Sequence, residues 1–588
     1  MMAEKETGGA IEKPDPPSST SEVDTLAEPV VTFKTWIVCG ILSLGYGLSF
    51  WSIPAMSAIG TQVSTSFGEP NSYVWFIPAW TISITCAFLI FGPMTDLFGR
   101  RWFLVGGNLI CCVGHIIVAS AKSSDQVIIG LAVSGFGAAN CQMAAFSLPE
   151  LLPNKWRHIG VVIADIAVFV AVIVAPVTAR YGFEFDTWEW NFWALAIFQG
   201  LSFLGLLCLY FPPNHPNGVS YIDAFKSLDY FGKSLPKSLP PAISNPFSRT
   251  RTGAFLFIGG AVPFLVAIVW AGVYDSNDPH VVAPLVVGVV VLICFALWET
   301  FANLKYPLTP THVFTSSYGR DLSAPAVALA VVNMFYYSSS ILWPQMITVF
   351  YTDGGKDWKY AVVLSLAQGF PIPFGALLLS VLGSRLRHWN WQLTGSVFVM
   401  VLFGSLMGLV TPTNKGTMIA FLFLSQTAYG WAIYLSIAIT QMGVEQKNLG
   451  ISGGISGCVR FAAGAVATTI YQTVYSTTLT KYTARYVPAA ATAAGLPLTK
   501  VTDLMTLLAQ QDTASISKMF GAAVAAATAE AQGQAYCKAI FTVAMVSMAF
   551  GILGIAACLY CKDVDDKMNN KIEVYLENTD LAERNEYH

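Results

Sequence analysis

Residues 92–101 read Gly-Pro-Met-Thr-Asp-Leu-Phe-Gly-Arg-Arg, and they lie between two long apolar stretches. One carboxylate, two glycines and two arginines are therefore confined to a short turn between segments that are long enough to cross a bilayer. Lysine and arginine are enriched in cytoplasmic loops, so we expect this turn to face the cytoplasm. The stretch predicts a helical membrane protein with a charged turn after its second span.

The composition of the whole chain agrees with this prediction. Of its 588 residues 54% are hydrophobic and 11% are charged, and the mean hydropathy is +0.56. Soluble domains carry about 25% charged residues, so the main solvent of this chain is lipid. The net charge of −3 gives no basic footprint for nucleic acid. No phosphate-binding loop, dinucleotide fingerprint or zinc signature occurs, so we expect no ATP, cofactor, metal or enzymatic activity.

Hydropathy predicts fourteen spanning helices. Basic residues in the short loops at 100–101, 155–157 and 385–387, against none in 60–72, place both termini in the cytoplasm. The predicted spans are 36–57, 73–94, 102–120, 126–147, 158–178, 191–211, 253–273, 281–300, 323–350, 360–382, 391–411, 417–440, 453–476 and 538–560.

Four segments fall outside these spans. We expect a disordered cytoplasmic tail over residues 1–35, a cytoplasmic loop over 212–252 and a short charged cytoplasmic tail over 561–588. Residues 477–537 are predicted to form an external loop. Its helix-like stretches, at about 502–512 and 515–533, are too polar to span and are expected to lie on the external surface.

Two sets of motifs resemble a known family. The turn at 92–101 is similar to the signature loop G-x-x-x-D-x-x-G-R-K/R of the major facilitator superfamily. Further motifs closely resemble, in order, those of the fungal trichothecene efflux pumps, from about residue 33 to 560. They are 149–157 (Pro-Glu-Leu-Leu-Pro-Asn-Lys-Trp-Arg), 187–190 (Thr-Trp-Glu-Trp), 211–213 (Phe-Pro-Pro), 228–232 (Leu-Asp-Tyr-Phe-Gly), 307–310 (Pro-Leu-Thr-Pro), 342–345 (Leu-Trp-Pro-Gln) and 460–464 (Arg-Phe-Ala-Ala-Gly).

The resemblance implies the architecture of a 14-helix drug:proton antiporter. Its parts would be an N-terminal six-helix bundle at 36–211, two linker helices at 253–300 and a C-terminal six-helix bundle at 301–560. The substrate site would lie near the membrane midplane between the bundles, and transport would proceed by rocking.

The resemblance also gives the 92–101 turn a role. Asp96 would form an ion-pair latch with Arg100 and Arg101 and would face the start of the thirteenth span near residues 450–454, stabilising the outward-facing state. Gly92 and Gly99 would permit close helix approach and a tight turn. The alternative is a positive turn that only fixes topology.

Ionisable residues inside spans are functional candidates. Asp165, in the fifth span, could carry a coupling proton, and Arg460, in the thirteenth, could be structurally or mechanistically important; alternatively both could snorkel to the interface. Glu150, at the end of the fourth span, is expected to pair with Lys155 or Arg157.

Two positions depart from the pattern of drug:proton antiporters. Leu131 occupies the place of an arginine that is linked to proton transfer in many of them. In the fifth span only Pro176 remains of the usual Gly-Pro motif, where it could kink the helix and open a backbone site. The usual route of proton coupling is therefore in question.

Polar and aromatic residues inside several spans are candidates for lining a substrate cavity. Amides and phenols suit a neutral, partly apolar organic molecule. For each single residue the alternative is an interface anchor or a contact between helices. The candidates are Tyr46, Trp51, Gln142, Tyr336, Tyr337, Trp343, Gln345, Gln368, Gln426, Tyr434 and Gln441.

The sequence is thus interpreted as a secondary transporter, expected to be a monomer in the plasma membrane, with a vacuolar or vesicular membrane as the alternative. The leading hypothesis is proton-coupled efflux of a small toxin, metabolite or drug. The first alternative is uptake of ferric siderophores by the same fold. A non-transporting sensor in a transporter fold is disfavoured because the C-terminal tail is short.

Overall fold

A computed structural model of the chain is α-helical, with no β-sheet in the residues that it describes. The predicted tail up to residue 30, the greater part of the predicted 212–252 loop and the 228–232 motif lie outside the described residues. Those described are 31–69, 72–213, 246–274, 277–302, 307–352, 357–509 and 513–585.

Fourteen helices in this described part are long and apolar enough to cross a bilayer, which confirms the predicted number. They are α1 (Phe33–Ser66), α2 (Ser72–Phe98), α3 (Arg101–Ala119), α4 (Ser124–Glu150), α5 (Asn154–Glu184), α6 (Glu189–Leu209), α7 (Thr252–Trp270), α8 (Pro279–Phe301), α9 (Ser323–Tyr351), α10 (Lys359–Leu386), α11 (Trp389–Leu409), α12 (Lys415–Met442), α13 (Gln446–Ala493) and α14 (Ala522–Tyr560).

Local sequence sets several helix starts. The side chains of Thr32, Ser123 and Asp278 each accept a hydrogen bond from a backbone N–H in the first turn of α1, α4 and α8. These N–H groups have no partner inside the helix, so an oxygen at the N-cap stabilises the start. At Asp278 the bond from the His280 N–H lowers the pKa of the carboxyl group.

The helices form two bundles around a linker pair. Helices α1 to α6 pack among themselves, with α3 against α4 and α1 against α5, and α9 to α14 do the same, with α9 against α13 and α11 against α12. Helices α7 and α8 pair with each other and contact α2 and α13 through α7. The most extensive contact between the bundles is that of α2 with α13.

The predicted external loop at 477–537 is largely helical. Helix α13 continues to Ala493 and α14 already begins at Ala522, so both are longer than predicted. The predicted helix at 515–533 is wrong as a single element because Gly521, with φ of 86°, ends Thr513–Phe520. Alanine-rich sequence favours such helices.

A small apolar cluster stabilises this region. Val487 of α13 and Val524 of α14 pack with Leu504 and Leu508 of the short helix Val501–Ala509, and all four side chains are buried. Helices α13 and α14 and the short helices Val501–Ala509 and Thr513–Phe520 thereby share a separate apolar core.

Candidate functional site between the two bundles

At one end of the molecule, Asp96 of α2 meets the start of α13. Its Oδ1 and Oδ2 atoms accept hydrogen bonds from the backbone N–H groups of Gly450 and Ile451, at 2.7 and 2.9 Å. Helix N-termini carry unpaired N–H groups and a positive partial charge, which both suit a carboxylate. The predicted contact of Asp96 with the thirteenth span is therefore present, and it joins the two bundles.

Arg100 lies at the same end of the molecule, beside Asp96 and the start of α13. We call this end the Arg100 face. The Arg100 guanidinium forms ion pairs with Asp96, at 3.8 Å, and with Glu150, and these side chains are almost fully buried. The Glu150 carboxylate also accepts a hydrogen bond from Gln446 of α13. We call Asp96, Arg100, Glu150 and Gln446 the Arg100 cluster.

Two predictions about this cluster are wrong. Glu150 pairs with Arg100 instead of Lys155 or Arg157, because the last turn of α4 points toward α2 and α13 and the Arg157 guanidinium donates to Asn154. Arg101 is outside the cluster.

Arg101 instead anchors the end of α6. Its Nη2 atom donates to the carbonyl of Leu207 at 3.0 Å, and its guanidinium lies 3.8 Å from the ring centroid of Phe211. Consecutive residues at a helix start point in different directions, so two adjacent arginines do not reach the same carboxylate.

Glycine is needed at the two positions of the turn for two different structural reasons. A Cβ atom on Gly92 would lie 2.5 Å from the Cα atom of Gly454 and 2.6 Å from the carbonyl oxygen of Gly450. The backbones of α2 and α13 therefore touch here, as small residues allow in membrane helices. Gly99 ends α2 with φ of 80°, a conformation that side chains disfavour.

A second group of charges lies between the bundles, away from the Arg100 face. Asp165 occupies a break in α5, between the helical segments Arg157–Ala164 and Ile166–Glu184, and its side chain is 3% exposed. The hydroxyl groups of Tyr46 and Tyr434 face its carboxylate. Arg460 donates from Nη1 to the Tyr46 hydroxyl at 3.3 Å.

Asp165 and Arg460 are therefore linked across the bundle interface through tyrosines. The alternative in which they snorkel to the membrane surface is wrong, because both line internal space. The Oδ1 atom of Asp165 and the Nε atom of Arg460 are buried and have no hydrogen-bond partner among the described residues. Such atoms are available to a ligand or to a proton.

The space beside this pair is a partly open cavity with an empty volume of about 500 Å³, which includes solvent-open space. A second, smaller space, with an empty volume of about 270 Å³ counted in the same way, lies on the side nearer the Arg100 face. Arg460 and Phe461 line both, so these two side chains separate the two spaces. The larger cavity is lined by seven aromatic residues and five aliphatic or small ones, with one carboxylate, one guanidinium and one amide. Its lining residues include Phe50, Asp165, Phe169, Asn333, Tyr336, Tyr337, Tyr429, Tyr434, Arg460 and Phe461.

Five of the eleven predicted cavity residues line one of these spaces. Tyr336, Tyr337 and Tyr434 border the larger cavity, and Tyr46 and Gln142 border the smaller one. The other six are at neither space. They are Trp51, Trp343, Gln345, Gln368, Gln426 and Gln441.

Hydrogen bonding between helices explains two of these corrections. Trp343 is fully buried and its indole N–H donates to the carbonyl of Leu364 on α10, at 2.9 Å. Gln441 of α12 donates to the carbonyl of Ala145 on α4, at 2.7 Å, across the bundles. Trp51 instead packs against the hydrophobic core.

The remaining three glutamines hold neighbouring helices together within the second bundle. Such amides satisfy polar groups that lipid cannot. Gln368 donates to Ser340 and Gln426 to Ser339, each at 2.7 Å, and Gln345 accepts from Tyr475 at 3.1 Å.

Sequence reasoning missed ten of the fifteen residues that line the larger cavity, among them one asparagine and several aromatic residues. Asn333 of α9 donates to the backbone carbonyl of Arg460 at 2.7 Å, and Phe50, Tyr429 and Phe461 supply rings. An asparagine within an apolar span was a usable signal. The aromatic residues gave none, because the same residue types face lipid elsewhere in the chain.

The two departures from the antiporter pattern are both in helices. Leu131 is fully buried in the core of α4, where an apolar side chain needs no partner. Pro176 lies inside the segment Ile166–Glu184 of α5.

In the described ranges no group of three or more His, Cys, Asp or Glu side chains could hold a metal ion. The side chains that line the larger cavity can form hydrogen bonds, pair with charged groups and exchange protons.

A family model for the fungal trichothecene efflux pumps matches residues 41–586. The chain belongs to this family. Its relatives include the major-facilitator-type transporter prx5 of Penicillium rubens, which is 67% identical over 96% of this chain and 97% of that protein. The trichothecene efflux pump TRI12 of Fusarium sporotrichioides is 21% identical over 89% of this chain and 85% of its own length.

A solved structure shows the fold. The chain superimposes on the major facilitator proton:xylose symporter XylE, bound to 6-bromo-6-deoxy-D-glucose, with a TM-score of 0.51 and 11% identity. The match covers 89% of this chain and 94% of the symporter. The chain is accordingly a multi-pass membrane transporter with the major facilitator fold.

Proposed function

We propose that this transporter exports a small, largely neutral organic molecule by alternating access, driven by protons. The observation that carries the proposal is the placement of a buried carboxylate, Asp165, and a half-buried guanidinium, Arg460, between the bundles beside a common cavity. Ionisable groups at such depth are costly unless they serve transport or pair with each other. Here they are linked through tyrosines and still keep unpaired atoms.

The lining supports a neutral substrate with a few oxygen atoms. One carboxylate and one guanidinium cancel in charge, and the remaining polar groups are phenols and the amide of Asn333. Aromatic walls with a small number of polar groups are typical of sites for partly apolar molecules. Two relatives are named trichothecene efflux pumps, and this supports export as the direction.

Access to the cavity would alternate through the Arg100 cluster. In this proposal the Arg100 face is cytoplasmic, as the basic loops predict, with both termini on that side and the protein acting as a monomer in the plasma membrane. The structure described here has that face closed by the contacts of Asp96 and Glu150 with α13. Separation of α2 from α13 would open the smaller space to the cytoplasm.

Asp165 is the proposed proton carrier. After the substrate leaves on the external side, a proton would bind Asp165 there and neutralise its carboxylate, and the empty transporter would return to the state open to the cytoplasm. Release of the proton to the cytoplasm would restore the attraction to Arg460 before the next substrate binds, so proton and substrate would move in opposite directions. This route needs no arginine in α4, which accounts for Leu131 at that position.

Inside-out vesicles from yeast that express the chain test the proposal. The vesicles are acidified inside and offered a panel of terpenoid toxins, azoles and labelled ferric siderophores. We expect uptake of a toxin or azole that a protonophore abolishes, that Asp165→Asn loses, and that the exposed control Asp503→Asn retains. No uptake into vesicles, together with siderophore import by intact iron-starved cells, would contradict export.

A further inference from the structure

The end of the chain, residues 561–585, crosses the Arg100 face and contacts both bundles. Its first part binds the C-terminal bundle. The backbone N–H and the indole N–H of Trp389 donate to Asp563 at 3.1 Å and to Asp565 at 3.2 Å. The ammonium group of Lys567 donates to the carbonyl of Met442, at 2.5 Å, at the end of α12.

The next part binds the N-terminal bundle through backbone groups. The N–H groups of Asn154 and Lys155, in the first turn of α5, donate to the carbonyls of Lys571 and Asn569, at 2.9 and 2.7 Å. These N–H groups have no partner inside their own helix, and the bonds use main-chain atoms, so they do not depend on the rotamer of any side chain.

The same part also reaches the ends of α4 and α6. The N–H of Val574 donates to the carbonyl of Glu150 at 3.2 Å, and the N–H of Glu577 to the carbonyl of Phe211 at 2.8 Å. Leu576 is 1% exposed and belongs to the main hydrophobic core. A tail that buries an apolar side chain in this way is part of the fold.

The last described residues fold back onto this segment. The side chain of Asn585 accepts from the N–H of Tyr575 at 2.8 Å and donates to the carbonyl of Tyr575 at 3.0 Å and to Glu577. The segment thus has internal bonds as well as external ones, and it lies directly against Glu150 of the Arg100 cluster.

A ring contact between the bundles lies next to the first attachment. His158 of α5 packs on Trp389 of α11, with ring centroids 4.9 Å apart. Since Asp563 and Asp565 hold both N–H groups of Trp389, the tail fixes the ring that His158 contacts.

We propose that residues 561–585 form a C-terminal strap that ties the two bundles together at the Arg100 face and must leave the N-terminal bundle before that face opens. Residues 561–567 follow directly from α14 and would stay on the C-terminal bundle. Residues 569–585 hold the N-terminal bundle and would detach. The strap rests on the proposed alternating access, but on no particular substrate or coupling ion.

Cysteine labelling in inside-out vesicles tests the strap, with residues 569–588 deleted. Ser456→Cys, which lines the smaller space, reports opening of the Arg100 face, and Val172→Cys, which lines the larger cavity, reports the other side. An impermeant maleimide is applied from each side, and the chain without a reporter gives the background from native cysteines. The matched control is Asp580→Ala, at an exposed position of the strap.

We expect the deletion to raise the labelling rate of Ser456→Cys from the Arg100 face roughly tenfold and to lower that of Val172→Cys from the opposite side. The control should change neither rate. Unchanged rates in the deletion would overturn the strap. A rise at both positions would also overturn it, because that pattern indicates a loosened fold.

A cross-link gives the opposite test without removing any residue. Pro153 and Ile572 are paired in an antiparallel bridge, a spacing that suits a disulfide. With Pro153→Cys and Ile572→Cys, we expect oxidation to suppress Ser456→Cys labelling and reduction to restore it, while either single cysteine has no effect. Undiminished labelling of the oxidised protein contradicts the strap. Because labelling requires no substrate, this test of the strap is independent of the result of the vesicle transport experiment.

Discussion

The Arg100 cluster and the Asp165 cavity each hold opposite charges between the two bundles, and they differ in how those charges are satisfied. At the Arg100 face, Asp96 accepts two backbone N–H groups and Arg100 has two carboxylate partners. At the cavity, Asp165 and Arg460 meet through the hydroxyl group of Tyr46, and both side chains border open space.

This difference distinguishes the Arg100 cluster, which keeps the Arg100 face closed, from the cavity beside Asp165, which is the candidate binding site. Opposite charges in direct contact across an interface hold that interface shut, and loss of one partner is costly because a buried charge remains. Charges that meet through hydroxyl groups and border open space can exchange partners with a ligand or a proton. We therefore expect changes at the Arg100 cluster to alter stability and opening, and changes at the cavity to alter substrate affinity and coupling.

The largest effect is expected at Arg100. Arg100→Leu leaves the buried carboxylates of Asp96 and Glu150 without their cation, which should destabilise the closed protein by roughly 3–5 kcal/mol. The melting temperature of the purified protein measures this. Glu150→Gln added to Arg100→Leu removes one of the two uncompensated charges and should recover part of the loss. Equal melting temperatures for the single and double variants would show that the charge is not the cause.

A smaller effect is expected where α2 touches α13. Gly92→Ala places a Cβ atom 2.5 Å from the Cα of Gly454, so closure should cost about 1–3 kcal/mol more. The initial rate of gradient-driven uptake should fall by about tenfold. Gly106→Ala is the matched control, since nothing lies within 4 Å of a Cβ atom there. Equal rates for the two variants would disprove close backbone contact as the reason for glycine.

At the cavity we expect a change of affinity without loss of stability. Tyr46→Phe removes the hydroxyl that accepts from Arg460 and faces Asp165. Loss of one hydrogen bond of about 0.5–1.5 kcal/mol should change the Michaelis constant of the transported compound several-fold. A changed melting temperature with an unchanged Michaelis constant would show that Tyr46 stabilises the closed protein and does not contribute to substrate affinity.

The smallest effect is expected at a glutamine that joins helices. Gln368→Leu removes a hydrogen bond to Ser340, which in membrane proteins contributes about 0.6 kcal/mol. Transport should retain its rate and its substrate preference. A shift in preference among the compounds of the vesicle panel would return Gln368 to the cavity lining.

The sequence predicts well what depends on local composition. Fourteen apolar stretches give fourteen helices in the part of the chain that the structure describes, and the turn at 92–101 brings Asp96 to α13. It fails where the outcome depends on the direction of side chains in the packed bundle. Nothing local tells that Arg100 and not Arg101 meets Glu150, or that Trp343 turns toward α10 while Tyr336 faces the cavity.

The C-terminal tail shows the same limit. Its charged residues resemble an ordinary exposed tail, and only the packed fold reveals that Leu576 enters the core. The helical extensions of α13 and α14 were underestimated for a related reason. Hydropathy finds where a helix crosses lipid, and alanine-rich helix continues beyond that limit.

The central claim is that Asp165 couples protons to substrate movement in the cavity. Proteoliposomes with Asp165→Asn test it most directly, with the compound identified by the vesicle panel measured in two ways. We predict that exchange of labelled for unlabelled compound persists at a rate close to that of the parent, while accumulation driven by a proton gradient is lost. Accumulation that survives in Asp165→Asn would contradict the claim.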